Sequence, residues 1–263
     1  MIVKEVRKVI RVQNNADSTD IYVVGDIVDD SWKGWSWGED MNTYPSDIRD
    51  MLSESNNKAV NVYINSGGGD LFAGIAISNM LKRHNASTKA IVDGLAGSAA
   101  SVIAFGCDTI EMPENAYLMI HKPSSWCSGN ADDFKKMADT LDTLQEGIVN
   151  TYMAKVVDGI DSETINSMVN TETWLTGKAA KDYFKVDIVD KNAVIDNKVG
   201  NCILNCTKIP QELKESIEKN SGAGSTVGPI SIDNKGQSDK DLEGTQNQVA
   251  DKMAKEIEIA LML

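Results

Sequence analysis

The chain has 263 residues, enough to bury one sizeable core and still carry an appendage. Its net charge of −13 repels phosphate backbones, which argues against a nucleic-acid partner. No apolar run nears the roughly 20 residues of a membrane span, and the start, "MIVKEVRKVIRV", is broken by charges too often for a signal peptide.

Apolar periodicity is dense from about Asp20 to Asp190 and thins after it. "DIYVVGDI" is predicted as a strand. "KAVNVYIN" is predicted as a buried strand that ends at the glycine run "NSGGGD". "LFAGIAISNMLKRH" then has its apolar residues on one helical face. "STKAIVDG" is the next strand, and "GLAGSAASVIAFG" follows, a stretch of small residues in which Ser98 opens a helix. "DTIEMPENAYLMIH" is a pair of short strands broken at the Pro-Glu-Asn turn. "NADDFKKMADTLDTLQEGIVNTYMAKVV" is a long amphipathic helix, about 40 Å at 1.5 Å per residue. Alternating strands and helices predict an α/β fold with a largely parallel sheet over residues 1–190. Residues 191–263 form a C-terminal extension. It has a Gly-, Ser- and Asn-rich flexible linker at about 220–248. Leu242, Val249, Met253, Ile257 and Ala260 then recur at the spacing of a short amphipathic helix. With no export signal and no zinc-type spacing, Cys107, Cys127, Cys202 and Cys206 read as free thiols in a reducing cytoplasm.

Three local features carry possible chemistry. The small residues around Ser98 suit close helix packing, with Ser98 as a simple N-cap. They also suit a serine nucleophile at the tip of a buried helix. Of the two histidines, His84 sits beside Lys82 and Arg83 at a helix end, where a cationic ring complements the dipole; it reads as structural. His121 ends an apolar strand just before "KP". It is either a half-buried ring with a satisfied hydrogen bond or a catalytic base. The run Gly67 to Gly69 lacks the lysine of a phosphate-binding loop, and it can instead present backbone N–H groups to an oxyanion. The G-x-S-x-G elbow is absent, because Ala96 and Ala100 stand where its glycines would be.

Order and spacing say more than any one feature. "NSGGGD", "GSAAS" about thirty residues on and "MIHKP" about twenty further resemble the Clp peptidase family, with its N-S-P-G-G turn, serine helix and histidine strand. The long helix looks like that family's handle, and "ETWLTGKAAKDYFKVDIVD" looks like its closing segment. Among family branches, the phrasing is most similar to the Clp-like head maturation (prohead) proteases of tailed bacteriophages, including the tryptophan-rich "SWKGWSWGED". The chain departs from the family pattern at Gly67 (usually Pro), Lys122 (usually Gln or Asn) and Glu172 (Asp in housekeeping members).

The resemblance implies a ClpP/crotonase-like α/β fold with a protruding handle helix and rings that self-assemble. It implies a serine endopeptidase that needs no metal or organic cofactor. Ser98 is the implied nucleophile, His121 the base and Glu172 the orienting acid, with Gly68 and Ala99 N–H groups as the oxyanion hole. Ser101 competes as nucleophile; Asp93, Asp187 and Asp190 compete as the acid; a Ser–His dyad is a further possibility. The implied substrates are capsid or scaffold proteins, cut without an ATPase inside a shell assembling in the host cytoplasm. Two other readings stay open: a housekeeping Clp peptidase fed by an ATP-driven unfoldase, and a non-proteolytic crotonase-fold protein.

Overall fold

A computed structural model describes residues 12–33 and 41–189. Trp35 and Trp37 of the tryptophan-rich segment lie outside them. So do Asp190, Cys202, Cys206, the linker and the terminal helix.

Among the described residues the core is one sheet of eight strands. In chain order they are β1 (Val12–Asn14), β2 (Ser18–Ile27), β3 (Ala59–Gly69), β4 (Thr88–Gly97), β5 (Thr109–Pro113), β6 (Tyr117–Ile120), β7 (Thr173–Thr176) and β8 (Asp187–Val189). Their spatial order is β1-β2-β3-β4-β5-β8, with β6 branching from β4 and β7 pairing β6. All pairings are parallel except β1 with β2 and β6 with β7. This agrees with the α/β fold and largely parallel sheet expected from the sequence.

The crossovers from β2 to β3, β3 to β4 and β4 to β5 run through α1 (Pro45–Glu54), α2 (Leu71–Lys82) and α3 (Ala99–Ala104). Successive right-handed crossovers that step the same way across a sheet put their helices on one face. The strands record this as alternation. Ile21, Val23, Val60, Val62, Ile64, Ala90 and Val92 are buried, whereas Tyr22, Tyr63, Lys89, Ile91 and Asp93 on the other face are only half-buried. Tyr22 and Tyr63 stack there with ring centroids 5.0 Å apart.

The small residues around Ser98 have a packing reason as well. All six residues of α3 are buried. A Cβ on Gly74 of α2 would come within 3.0 Å of Ala99 Cβ, and one on Gly106 within 2.7 Å of Ser78 Cα. Only glycine lets α2 and the α3 segment approach this closely.

Past β6 the chain leaves the sheet for α4 (Ala131–Met153) and α5 (Ser162–Asn170), then returns through β7 and the single turn α6 (Gly177–Ala180) to β8. Helix α4, at 23 residues, ends a turn earlier than the apolar pattern suggests. The chain after Tyr152 turns to pair Val156 with Phe184 instead of continuing the helix. His84 follows α2 and its Nε2 lies 2.8 Å from the Lys58 carbonyl, a structural contact.

Candidate active site

Three strand ends meet at one edge of the sheet. Strands β4 and β6 are parallel, with Gly97 opposite Met119. The Ser98 N–H donates to the Met119 carbonyl at 2.9 Å, tying the two ends together. Strands β6 and β7 are antiparallel, with Ile120 opposite Thr173. The next position outward on each is His121 and Glu172. Sheet register alone therefore brings Ser98, His121 and Glu172 to one place.

Ser98 precedes α3 but does not cap it with its side chain. Instead its Oγ lies 2.7 Å from His121 Nε2. Its backbone sits at φ +51°, ψ −122°, outside the favoured regions for a side-chain-bearing residue. Such strain costs on the order of 1–3 kcal/mol and persists only where the surroundings impose it. Here the buried start of α3 and the Met119 hydrogen bond impose it. Ser101, the competing hydroxyl, is fully buried and bonds inward to Tyr152, so it faces the core.

Burial holds His121 below the ordinary histidine range, and the Glu172 carboxylate pulls it partly back up. The ring is therefore neutral at neutral pH, the form a base requires. Glu172 also has a positive φ, +51°, and its Oε1 accepts the Trp174 indole N–H at 3.2 Å. Trp174 thus orients the carboxylate that acts on His121. Asp93 lies on the half-exposed sheet face, where its charge acts on Tyr22 and Tyr63. Asp187 is exposed on edge strand β8. Among the described acid candidates, Glu172 is the one at the cleft.

The cleft has a volume of about 840 Å³. Its polar floor includes Gly69, Ser98, Ala99, His121 and Glu172; Val102, Met137, Leu141, Leu144, Ile148 and Val169 make its apolar wall. Ala99 occupies the first turn of α3, where backbone N–H groups have no helical partner. Gly68 lies hard against Ser98: a Cβ on it would be 2.6 Å from Ser98 Cβ. Yet the Gly68 N–H donates to Ser66 Oγ at 3.1 Å, and that hydroxyl donates to the Gly25 carbonyl at 2.6 Å. Gly69 is the glycine that lines the cleft. Which N–H of a glycine run faces outward depends on the Ser66 clamp, and residue spacing carries no sign of it.

Among the described residues no cluster of His, Cys, Asp and Glu is arranged to hold a metal ion. No described helix is long and apolar enough to cross a membrane.

Comparison with known proteins identifies the family. The chain is 32% identical over 143 residues to the ATP-dependent Clp protease proteolytic subunit of Ligilactobacillus salivarius, covering 53% of this chain and 71% of that one. It is 32% identical over 145 residues to proteolytic subunit 2 of Treponema denticola, covering 54% and 71%. It is 29% identical over 154 residues to the subunit of Pinus contorta, covering 56% and 73%. The family model described as Clp protease matches residues 47–193, more than half of the chain, and the protein belongs to that family of serine peptidases.

Proposed function

We propose that this chain is a proteolytic subunit that hydrolyses peptide bonds in protein substrates through Ser98, His121 and Glu172. The observation that carries the reading is the 2.7 Å contact between Ser98 Oγ and His121 Nε2, made at a helix start inside an open cleft. Ser98 Oγ attacks the substrate carbonyl while His121 Nε2 takes its proton and returns it to the leaving amine. Water then enters, and the same ring activates it to release the acyl group. Glu172 holds the ring with its hydrogen on Nδ1 and stabilises the imidazolium that forms. The oxyanion takes the Ala99 N–H, aided by the positive end of the helix start, and the Gly69 N–H. Gly69 replaces Gly68 in this role because the Gly68 N–H is already directed at Ser66. A fluorophosphonate applied to the pure chain should label Ser98; label at another residue, or none, overturns the assignment.

The relatives described above are named as ATP-dependent subunits, which favours an enzyme fed by an ATP-driven unfoldase. None of them is a head maturation protease. That second reading rests on the sequence phrases around the site and on the residues that continue past the family match at 193. Short peptides, and folded coat or scaffold protein offered without ATP, separate the two. An ATPase-dependent subunit cuts short peptides and spares folded proteins when alone, whereas a maturation protease processes coat or scaffold protein without ATP. In both settings the apolar residues of α4 support assembly into rings. The peptidase domain is placed at 1–190, with 191–263 as an appendage. Limited proteolysis should then leave a stable core ending near residue 190–200, and deleting 241–263 should spare peptide hydrolysis.

A further inference from the structure

Directly behind Ser98 lies a buried polar pair that the mechanism leaves without a task. Ser101 is 0% exposed and Tyr152 1% exposed. Their oxygens are 2.7 Å apart, and Ser101 Oγ is 2.5 Å from the Ser98 carbonyl oxygen. A carbonyl only accepts, so the single hydroxyl hydrogen of Ser101 points at Ser98. The Tyr152 hydroxyl must then be the donor to Ser101. The bonds run one way, from Tyr152 O–H to Ser101 O–H to Ser98 C=O, and each donor polarises the next. Burial pushes the Tyr152 phenol up, so it keeps its hydrogen throughout the working range.

The receiving carbonyl belongs to the residue with the strained backbone. It also accepts the N–H groups of Ser101 at 3.0 Å and Val102 at 3.3 Å, so the hydroxyl is the shortest of three contacts. Tyr152 is itself held firmly. Its ring packs edge-on against Phe105 at 4.9 Å and tilted against Phe184 at 6.2 Å, and it sits in the last turn of α4. Two core hydroxyls could satisfy one another with a single bond. Here the serine hydrogen goes to the nucleophile's peptide instead.

We propose that Tyr152, acting through Ser101, is a positioning residue that holds the Ser98 peptide in the strained conformation aiming Oγ at His121. This rests on Ser98 being the nucleophile.

The test uses the full chain and the variants Tyr152→Phe, Ser101→Ala and the double. For each, the fluorophosphonate labelling rate at Ser98, kcat and KM for a fluorogenic peptide, and the thermal midpoint are measured. Each single variant should lower the labelling rate and kcat about tenfold, the worth of one lost hydrogen bond, and leave KM within about twofold. The double should be no slower than Ser101→Ala, because Tyr152 acts only through that hydroxyl. Wild-type rates in Tyr152→Phe overturn the proposal, as does a double whose loss is the product of the two singles. If Ser101→Ala does not fold, Tyr152→Phe, which keeps the packed ring, decides alone. A wild-type chain not labelled at Ser98 overturns the nucleophile and the relay together, whereas label at Ser98 with an indifferent Tyr152→Phe removes only the relay.

Discussion

Helices α3 and α4 are built on opposite terms. All six residues of α3 are buried, while the buried residues of α4 are Ile148, Val149 and Tyr152, all in its last two turns. A six-residue helix has no stability of its own, so α3 exists because the core holds it. Helix α4 is longer and has local support of its own. Asn130 and Asp133 close a capping box at its start, and Asp132 and Asp133 suit the dipole there. The difference teaches where each belongs in the enzyme. The proposed nucleophile, Ser98, stands at the start of the helix that the fold imposes, where position is fixed from every side. Met137, Leu141 and Leu144 sit on the less buried helix, facing the cleft, and Phe134 on the same helix is 54% exposed.

The comparison breaks first at Ser98. Ser98→Ala should abolish peptide hydrolysis, by about a millionfold if it follows subtilisin, with an unchanged thermal midpoint. A visible turnover in a peptide assay would remove the α3 start from the chemistry. Glu172→Gln comes next. It favours the wrong imidazole tautomer, and a loss of about 10⁴-fold in kcat is expected. It also removes the charge that raises His121, so the acid limb of kcat/KM should move to lower pH. In the wild type that limb already lies below the ordinary histidine value of about 6.5, because burial favours the neutral ring. The same shift has a stability cost in acid. The unfolded chain binds the proton first, so stability from His121 is present above about 6.5 and is lost as pH falls through the lowered folded value. An acid limb unmoved in Glu172→Gln would separate the carboxylate from the ring.

Smaller effects sharpen the contrast between the helices. Gly106→Ala drives a methyl into Ser78 backbone atoms 2.7 Å away. It should destabilise the chain by about 1–3 kcal/mol in thermal melts, since α3 has no room to yield. Phe134→Asp with Leu141→Asp, on the less buried helix, should cost about 1–2 kcal/mol. It should nevertheless lower the mass seen in light scattering if α4 carries ring assembly. An unchanged mass would show that assembly uses another surface.

Much of this was legible in the chain. Val60, Val62 and Ile64 announce β3 by branching and spacing, and the Pro-Glu-Asn turn separates β5 from β6 where the structure does. Ser98 and His121 stood out because each ends an apolar element beside small or rigid residues. Other features need the third dimension. Helix α1 is short and opens with Pro45 at its first turn, so its apolar pattern is too brief to stand out. Its burial against α2 comes from the fold. Strand β4 runs on past Gly94, the end of the predicted strand "STKAIVDG", to Gly97. The roles of Ser66 and Tyr152 depend on which way a hydroxyl points, and neighbours distant in sequence decide that.

The antiparallel ladder between β6 and β7 also orders events during synthesis. Ser98 and His121 come together across adjacent parallel strands, soon after both leave the ribosome. Glu172 reaches its place opposite His121 only when β7 pairs with β6, across a detour of about 50 residues through α4 and α5 that must close a long loop. The growing chain therefore holds its proposed nucleophile and base before it holds the acid proposed to orient them. If Glu172 plays its proposed part, a nascent chain built this way has an interval in which its base is not yet oriented, set by the distance along the chain between two short strands.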